Sequence, residues 1–210
     1  MPPLSTIERR FLVLELIGPA GAGKSTLMAA VGQRDRSIGS LRVELQQHGP
    51  LAVRGFLRAL PSLTRPRSIL RALPGLEECR AVLLDEGPVF RLTRQLVRGR
   101  SSGPALSGLL ARRALHAWAG SVDFLLWLDA PDSILMERIR SRGKAHALKD
   151  ASDAELGKFL ARYRNAYEIV ARELRRRCGT PLLRLDSGSA TPEQLADQVL
   201  SLLPSEGGSR

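Results

Sequence analysis

The chain has 210 residues, of which 43% are hydrophobic and 25% are charged. This composition is typical of one globular α/β domain and excludes a largely disordered chain. No apolar run approaches the roughly 18 residues that a membrane-spanning helix needs, and the start of the chain lacks the pattern of a secretory signal, so we expect a cytoplasmic protein.

The net charge is +11, from 32 lysines and arginines against 21 acidic residues. The positive electrostatic field of such a chain favours anionic ligands. It also suits nucleic acid, but there is no long basic run interleaved with aromatic residues, and aromatic residues make up 4% of the chain, so we do not expect a nucleic-acid partner. Cys79 and Cys178 are far apart and have no metal-ligand spacing, which predicts two reduced thiols.

The first predicted element is a buried strand over Phe11–Ile17, after a flexible lead-in at residues 1–10. The sequence that follows fits G-x-x-x-x-G-K-[ST] without a mismatch, and a helix is predicted from Lys24 to about Gly32. A strand, a glycine-rich loop and a helix in this order are the context that a phosphate-binding loop requires.

The chemistry of this loop is phosphate binding. Its glycines allow the backbone N–H groups to converge on anionic oxygens. Lys24 is predicted to reach the β and γ phosphates, and Ser25 to hold Mg²⁺ at the positive end of the helix. We predict contacts with the nucleotide for every residue of the loop: Gly18, Pro19, Ala20, Gly21, Ala22, Gly23, Lys24, Ser25 and Thr26.

The next segment is predicted to contain a second strand and then helical residues. Leu41–Leu45 alternates as a strand does. Residues 51–73 mix apolar residues with arginines and contain Pro61 and Pro66, which predicts short helices broken at the prolines. These helices either build the acceptor site or form an amphipathic pair with a solvated basic face.

Cys79–Glu86 is predicted to be a central strand that ends in two acids, Asp85 and Glu86. Ligands in open parallel sheets bind beyond the carboxyl ends of the strands. We therefore predict that these carboxylates hold Mg²⁺, with Asp85 as a metal ligand, and accept the proton of the attacking group. The alternative is that the strand simply ends in solvent. A helix is predicted over Val89–Val97.

Two further helices and a strand follow. The pattern predicts a helix from Pro104 to about Trp118 and a strand over Val122–Leu128. Asp129 is predicted to cap the next helix, with contact to water or to a lid arginine as the alternative.

The helix from Asp132 to about Ser141 leads into a basic cluster. Arg138 and Arg142 are four residues apart and share one face, so we predict that they close over the reacting phosphate together with Lys144. Arg140 is predicted to be solvated, and His146 to be a surface residue. The predicted lid covers about residues 138–150.

The last third of the chain is predicted to contain a long helix, a strand and a final helix. Ser152 to Arg177 begins with a capping box and has an apolar face that includes Phe159, Tyr163 and Tyr167. Its arginines, Arg164 among them, are predicted to be solvated. A strand is predicted over 181–186, a helix from 191 to about 203, and a flexible tail over 204–210.

This order of motifs resembles the P-loop nucleoside and nucleotide kinases, and among them the thymidylate-kinase-like group. The likeness rests on Gly18–Thr26, on 126–132 with Arg138 and Arg142-Gly-Lys144, and on 185–193. It implies ATP and Mg²⁺ as cofactors, and it puts Asp186 and Ser187 near the adenine. It also implies a three-layer α/β fold with a parallel sheet of about five strands, flanking helices and a helical lid, in one domain over 11–203. A homodimer is left open.

Two positions differ from that family's usual pattern. Ile17 precedes the first glycine where the family usually has an acid, and the nearest acid is Glu15. Asp85-Glu86 stands where the family tends to have an acid followed by arginine. The acceptor is therefore left open by the resemblance.

Together these features predict an ATP-dependent kinase whose acceptor is a nucleoside monophosphate, a nucleoside or another small molecule. The alternatives are a nucleotide-binding regulatory ATPase or switch and a basic nucleic-acid binder.

Overall fold

A computed structural model describes residues 11–42, 79–97, 122–143 and 148–204. Within these ranges the strands are β1 (Leu12–Ile17), β2 (Ile38–Arg42), β3 (Ala81–Asp85), β4 (Phe124–Asp129) and β5 (Leu182–Asp186). The helices are α1 (Lys24–Arg34), α2 (Pro88–Val97), α3 (Asp132–Ser141), α4 (Asp153–Cys178) and α5 (Pro192–Leu200). No helix in the described ranges combines the length and the apolarity that crossing a bilayer requires.

The strands form one sheet in the order β2-β3-β1-β4-β5, and every neighbouring pair is parallel. β1 lies in the middle, with Leu16 beside Asp85 of β3 and Ile17 beside Trp127 of β4. The carboxyl ends of these three strands therefore meet at one edge of the sheet, where open α/β sheets bind their ligands.

The two faces of the sheet are covered by different sets of helices, and α4 contributes to both. Leu14 and Leu16 of β1 belong to a core that includes residues of α1, α3 and α5. Val13 and Ile17 point to the other face, into a core shared with α2 and α4. The alternation follows from the two-residue period of a strand. The predicted three-layer α/β fold with a five-strand parallel sheet is confirmed.

Several boundaries differ from the sequence expectation. β2 begins at Ile38, three residues before the predicted Leu41, because its pairing with β3 runs from Ile38 beside Ala81 to Arg42 beside Asp85. α1 continues past Gly32 to Arg34, and α5 ends at Leu200, before the predicted 203. α3 has the predicted bounds. The acceptor-site helices at 51–73, the helix at 104–118, Lys144, His146 and both terminal segments lie outside the described residues, apart from Pro204.

The long helix α4 has well-defined ends. The Ser152 hydroxyl accepts from the backbone N–H of Glu155, and the Glu155 carboxylate accepts from the backbone N–H of Ser152. The helix ends at Gly179, whose φ is +66°. The predicted capping box is confirmed, and the helix continues one residue beyond the predicted Arg177.

Candidate active site

The loop between β1 and α1 is curled, as phosphate binding requires. Gly18, Gly21 and Gly23 have φ values of 141°, 82° and 88°, in the region that L side chains rarely adopt. At Gly18 a Cβ would lie 2.0 Å from the carbonyl oxygen of Leu128 in β4, so no other residue fits there. The loop is thus packed tightly against the central sheet.

Lys24 and Ser25 stand at the start of α1, beneath this loop. The Lys24 ammonium donates to the carbonyl oxygens of Gly18 at 2.8 Å and Pro19 at 3.0 Å. The first turn of α1 contains no acidic residue, and Gly23 at the N-cap has no side chain to cap it. The positive end of the helix is therefore available to an anion.

One cleft of about 950 Å³ adjoins the loop, and we call it the central cleft. Of the predicted site residues, those that line it are Gly18, Ala20, Gly21, Ala22, Gly23, Lys24, Ser25, Thr26, Asp85, Glu86, Arg138, Arg142 and Ser187. Pro19 is buried and contributes its carbonyl to Lys24. The phosphate loop, the two acids, the arginines at 138 and 142, and Ser187 thus come together from four separate parts of the chain.

The acids at the end of β3 differ in their surroundings. Asp85 is 4% exposed, and its Oδ1 makes no hydrogen bond to the described residues. Glu86 is partly exposed and has a left-handed backbone with φ of 58°. This turn brings the chain from β3 directly into α2.

These residues fit a magnesium ion. The Asp85 carboxylate and the Ser25 hydroxyl supply the hard oxygen ligands that Mg²⁺ takes, and both line the central cleft. No group of three or more His, Cys, Asp or Glu side chains that can hold a metal occurs in the described ranges. A site with few protein ligands is typical of Mg²⁺ bound together with phosphates and water.

Arg138 connects two sides of the cleft. Its guanidinium donates to the hydroxyl and the carbonyl oxygen of Ser187, at 3.0 and 2.8 Å, and reaches the carbonyl oxygen of Gly21 at 3.5 Å. Arg142 follows the last residue of α3 and also lines the cleft. Arg140 points away and pairs with Asp153 on the surface, as its predicted solvated position implies.

Asp186 and Ser187, although adjacent in the chain, line different cavities. Ser187 lines the central cleft, whereas Asp186 lines a smaller pocket of about 450 Å³ beside Asp129. The Asp186 carboxylate accepts from the Ser189 hydroxyl and from the Gly188 N–H, each at 2.8 Å, and these bonds lower its pKa. The described contacts of Asp186 thus shape the turn after β5.

The prediction that Asp129 caps α3 is wrong. The N-cap of α3 is Pro131, and there is no side-chain cap. Asp129 instead accepts two hydrogen bonds from Arg164 of α4, at 2.8 and 2.9 Å, and Arg164 also binds Asp132 and the carbonyl oxygen of Ala130. The predicted solvated position of Arg164 is wrong for the same reason: its side chain is only 27% exposed, and the two carboxylates raise its pKa.

Sequence reasoning missed an aromatic surface in the cleft. We call Phe90, Phe159, Tyr163 and Tyr167 the aromatic wall, and Arg94 lies beside it along the same cleft. The rings of Phe159 and Tyr163 are 4.7 Å apart, and those of Tyr163 and Tyr167 are 6.3 Å apart. The signal was the four-residue spacing on α4, which was interpreted only as a core-facing stripe.

Tyr167 forms the deepest part of the aromatic wall. It is 1% exposed, and burial raises the pKa of its hydroxyl well above the ordinary value. The hydroxyl interacts with the backbone of Gly18, at the first position of the phosphate loop. The wall therefore extends from α2 across to the loop.

Glu15 was also missed as a structural element of the site. It is fully buried in β1, and its Oε1 accepts from the N–H groups of Val89 at 2.8 Å and Phe90 at 3.1 Å. Burial raises its pKa to about 8, against the lowering effect of these two bonds and of Arg91. The available signal was an acid inside an otherwise apolar strand.

The fold is similar to that of several solved structures, among them two kinases. A thymidylate kinase from Candida albicans aligns with a TM-score of 0.59 at 14% identity, covering 92% of this chain and 91% of that one. The YorR protein from Bacillus subtilis, solved in complex with phosphorylated GDP, aligns with a TM-score of 0.57 at 16% identity, covering 90% and 94%. A deoxyadenosine kinase from M. mycoides with bound dATP aligns with a TM-score of 0.56 at 13% identity, covering 91% and 98%.

The chain therefore has the fold of the P-loop nucleoside and nucleotide kinases. At these identities the similarity shows the fold, and function has to be argued from the site. No protein-family model matches the chain, and a comparison with curated proteins gives no relative.

Proposed function

We propose that the protein is an ATP-dependent phosphotransferase that moves the γ-phosphate of ATP to a small acceptor, with a nucleoside monophosphate or a nucleoside as the favoured class. The observation that carries this proposal is the central cleft, where a curled phosphate loop, two strand-end acids and two arginines face the same space. This is the set of groups that phosphoryl transfer uses for positioning and charge stabilisation.

On the donor side, the loop N–H groups and Lys24 bind the β and γ phosphates. The Lys24 ammonium now contacts two neutral carbonyl oxygens. Phosphate oxygens are charged and therefore stronger acceptors, so Lys24 exchanges the carbonyls for phosphate when the nucleotide binds. Ser187, which lines the cleft and accepts from Arg138, is proposed to lie near the adenine together with Asp186.

Ser25 and Asp85 would hold Mg²⁺, which supplies positive charge to the β and γ phosphates. The oxygen of Asp85 that makes no hydrogen bond supports this role, because a buried carboxylate oxygen without a partner is costly unless something binds it.

On the acceptor side, Glu86 orients the nucleophile. The acceptor oxygen attacks the γ-phosphorus as the bond to the β-γ bridging oxygen breaks and ADP leaves. A hydroxyl acceptor passes its proton to Glu86, whereas a monophosphate acceptor is already deprotonated at neutral pH. Glu86 lies at the cleft, on the turn directly before α2.

Arg138, Arg142 and Lys144 stabilise the charge that spreads over the transferred group. The forked guanidinium binds two oxygens at once, which suits a phosphoryl group better than a single ammonium does. Arg138 is held at the phosphate loop by Ser187 and Gly21, which limits the reorganisation that it needs.

The aromatic wall supports a planar acceptor. Rings along one side of a cleft offer stacking surfaces to a base, and Arg94 adds a positive charge beside them. The names of the similar thymidylate and deoxyadenosine kinases point to the same class of acceptor.

A panel of acceptors tests the proposal. ADP release from MgATP is measured with nucleosides, nucleoside monophosphates, sugars and aminoglycosides. We expect one member of the nucleoside or nucleotide group to stimulate release. Release that no small molecule stimulates, but that a protein partner changes, would favour the regulatory ATPase instead. Stimulation by a sugar alone would keep the kinase and overturn the nucleotide acceptor.

A further inference from the structure

The start of α2 has no cap of its own. The carbonyl oxygen of Gly87 accepts the first helical bond from the N–H of Arg91 at 3.1 Å, so Gly87 occupies the N-cap position without a side chain. Pro88 has no N–H, and the first turn contains no acid. The N–H groups of Val89 and Phe90 therefore have no acceptor within their own segment.

Glu15 of β1, the strand that pairs with β3, supplies that acceptor on the face of the sheet that α2 covers. Its Oε1 takes both N–H groups, at 2.8 Å from Val89 and 3.1 Å from Phe90. Its neighbours on the same face of β1 are Val13 and Ile17, both buried and apolar. A carboxyl group at this depth is expensive without hydrogen bonds, and the two that it makes are the ones that α2 lacks.

The carboxyl group also packs against the turn that carries the acids. A Cβ on Gly87 would lie 2.7 Å from the Glu15 Cδ, 2.8 Å from Oε1 and 3.0 Å from Oε2. Real Cβ atoms do not approach this closely, and Glu15 is fully enclosed and cannot withdraw into solvent. Glycine at position 87 thus allows the contact between β1 and this turn.

We propose that Glu15 is a positioning residue that fixes the Asp85–Glu86 pair relative to the phosphate loop, an inference that rests on the proposed function. β1 leads directly into the loop, so the same strand carries the phosphate-binding backbone and anchors the acids. Glu86 adopts a left-handed conformation, which is unfavourable for a non-glycine residue. The contacts on either side, Asp85 in the sheet and Gly87 against Glu15, hold it there.

The role depends on an acceptor oxygen and not on the charge. A carboxylate and a neutral carboxylic acid both present an oxygen to the two N–H groups, and so does the amide of glutamine. Glu15→Gln should therefore preserve the role, and Glu15→Leu, of similar size but without an acceptor, should remove it.

The test uses MgATP and the panel of nucleosides and nucleoside monophosphates, with rates expressed per folded protein. For Glu15→Leu we expect kcat to fall at least about tenfold with the KM for ATP within about threefold, because the loss is in positioning for transfer. Glu15→Gln should stay within about threefold of the wild-type kcat. Amide exchange at Val89 and Phe90 should accelerate in Glu15→Leu only.

Leu96→Ala is the matched control, since it removes partly buried apolar contacts of α2 without touching Glu15. It should lower stability and leave the kcat of the folded protein unchanged. If Glu15→Leu does not fold, Gly87→Ala carries the test from the other side of the contact and should show the same fall in kcat.

Wild-type kcat in a folded Glu15→Leu or Gly87→Ala protein would overturn the inference, as would equal impairment of Glu15→Gln and Glu15→Leu. A wild-type protein that phosphorylates no member of the panel would overturn the proposed function, and the positioning role with it. The amide exchange distinguishes the two failures, because the hydrogen bonds of Glu15 are seen there without any turnover.

Discussion

Burial strongly changes the acidity of the Glu15 side chain. The pKa of this carboxyl group rises from 4.5 to about 8, because water is excluded from it and two backbone N–H bonds do not fully replace the lost hydration. At neutral pH the folded protein thus keeps a proton that the unfolded chain has lost.

Stability should consequently fall as the pH rises. Between about pH 4.5 and 8 the folded state binds one proton more at Glu15 than the unfolded state does. The free energy of unfolding should therefore decrease by about 1.4 kcal/mol per pH unit in that window from this residue. Urea unfolding at several pH values measures this change in the free energy of unfolding.

The matched variant for this measurement is Glu15→Gln, which cannot titrate. The free energy of unfolding of the wild-type protein should fall more steeply with pH than that of the variant. Parallel curves for the two proteins between pH 5 and 8 would contradict the burial argument.

Arg164 acts between elements. It lies on α4 and binds Asp129 at the end of β4 and Asp132 at the start of α3, so three elements meet at one guanidinium. α3 in turn carries Arg138 to the phosphate loop. The sequence offered only a helix with many arginines, and the partner that distinguishes Arg164 is 35 residues away.

Replacing Arg164 should destabilise the fold. Arg164→Met keeps the aliphatic stem but leaves two carboxylates without their cation, and we expect a loss of about 1–2 kcal/mol in the free energy of unfolding, given the partial exposure of the group. Arg172→Met is the control, because Arg172 is 74% exposed and 3.9 Å from Glu168. Its effect should stay within about 0.5 kcal/mol. Equal losses in the free energy of unfolding would show that the ion pairs of Arg164 stabilise the fold no more than the exposed contact of Arg172 does.

The capping box of α4 gives a second prediction for an element. Ser152→Ala removes the side-chain acceptor at the start of a 26-residue helix, and it should cost about 1 kcal/mol. Chemical denaturation measures the change. Ser133, exposed on α3, provides the comparison, and Ser133→Ala should have little effect. If Ser152→Ala left the free energy of unfolding unchanged, the stability of this solvated helix end would not depend on its cap.

The elements that the sequence predicted well are those with local signals. The phosphate loop is fixed by glycine, lysine and serine at set spacing, and the capping box of α4 by four consecutive residues. β2 begins earlier than predicted because Gly39 and Ser40 have little strand propensity of their own, and this segment is a strand through its pairing with β3. The contacts of Glu15 and Asp129 depend on tertiary packing, which no spacing along the chain reveals. The spacing of the aromatic residues on α4 predicts a shared face but not that this face lines a cleft.

For the whole molecule, the parallel sheet explains why distant parts of the sequence act together. β1, β3 and β4 end at one edge, so the phosphate loop, Asp85 and Asp129 are neighbours although they are far apart in the chain. The fold could be predicted because this order of strand-end motifs is shared with the P-loop kinases. The acceptor could not be predicted, because Ile17 and Asp85-Glu86 depart from the usual pattern of that family. The segment expected to build its site, residues 51–73, lies outside the described part of the chain.

The central claim is that the cleft transfers phosphate to an organic acceptor and that Lys24 is essential to it. The most direct measurement follows the label of [γ-³²P]ATP in the presence of the acceptor panel, for the wild-type protein, Lys24→Ala and the control Lys158→Ala on the exposed surface of α4. We expect label on a nucleoside or nucleotide, a loss of about a thousandfold or more in Lys24→Ala, and wild-type transfer in Lys158→Ala. Label recovered only as inorganic phosphate, or undiminished transfer by a folded Lys24→Ala protein, would contradict it.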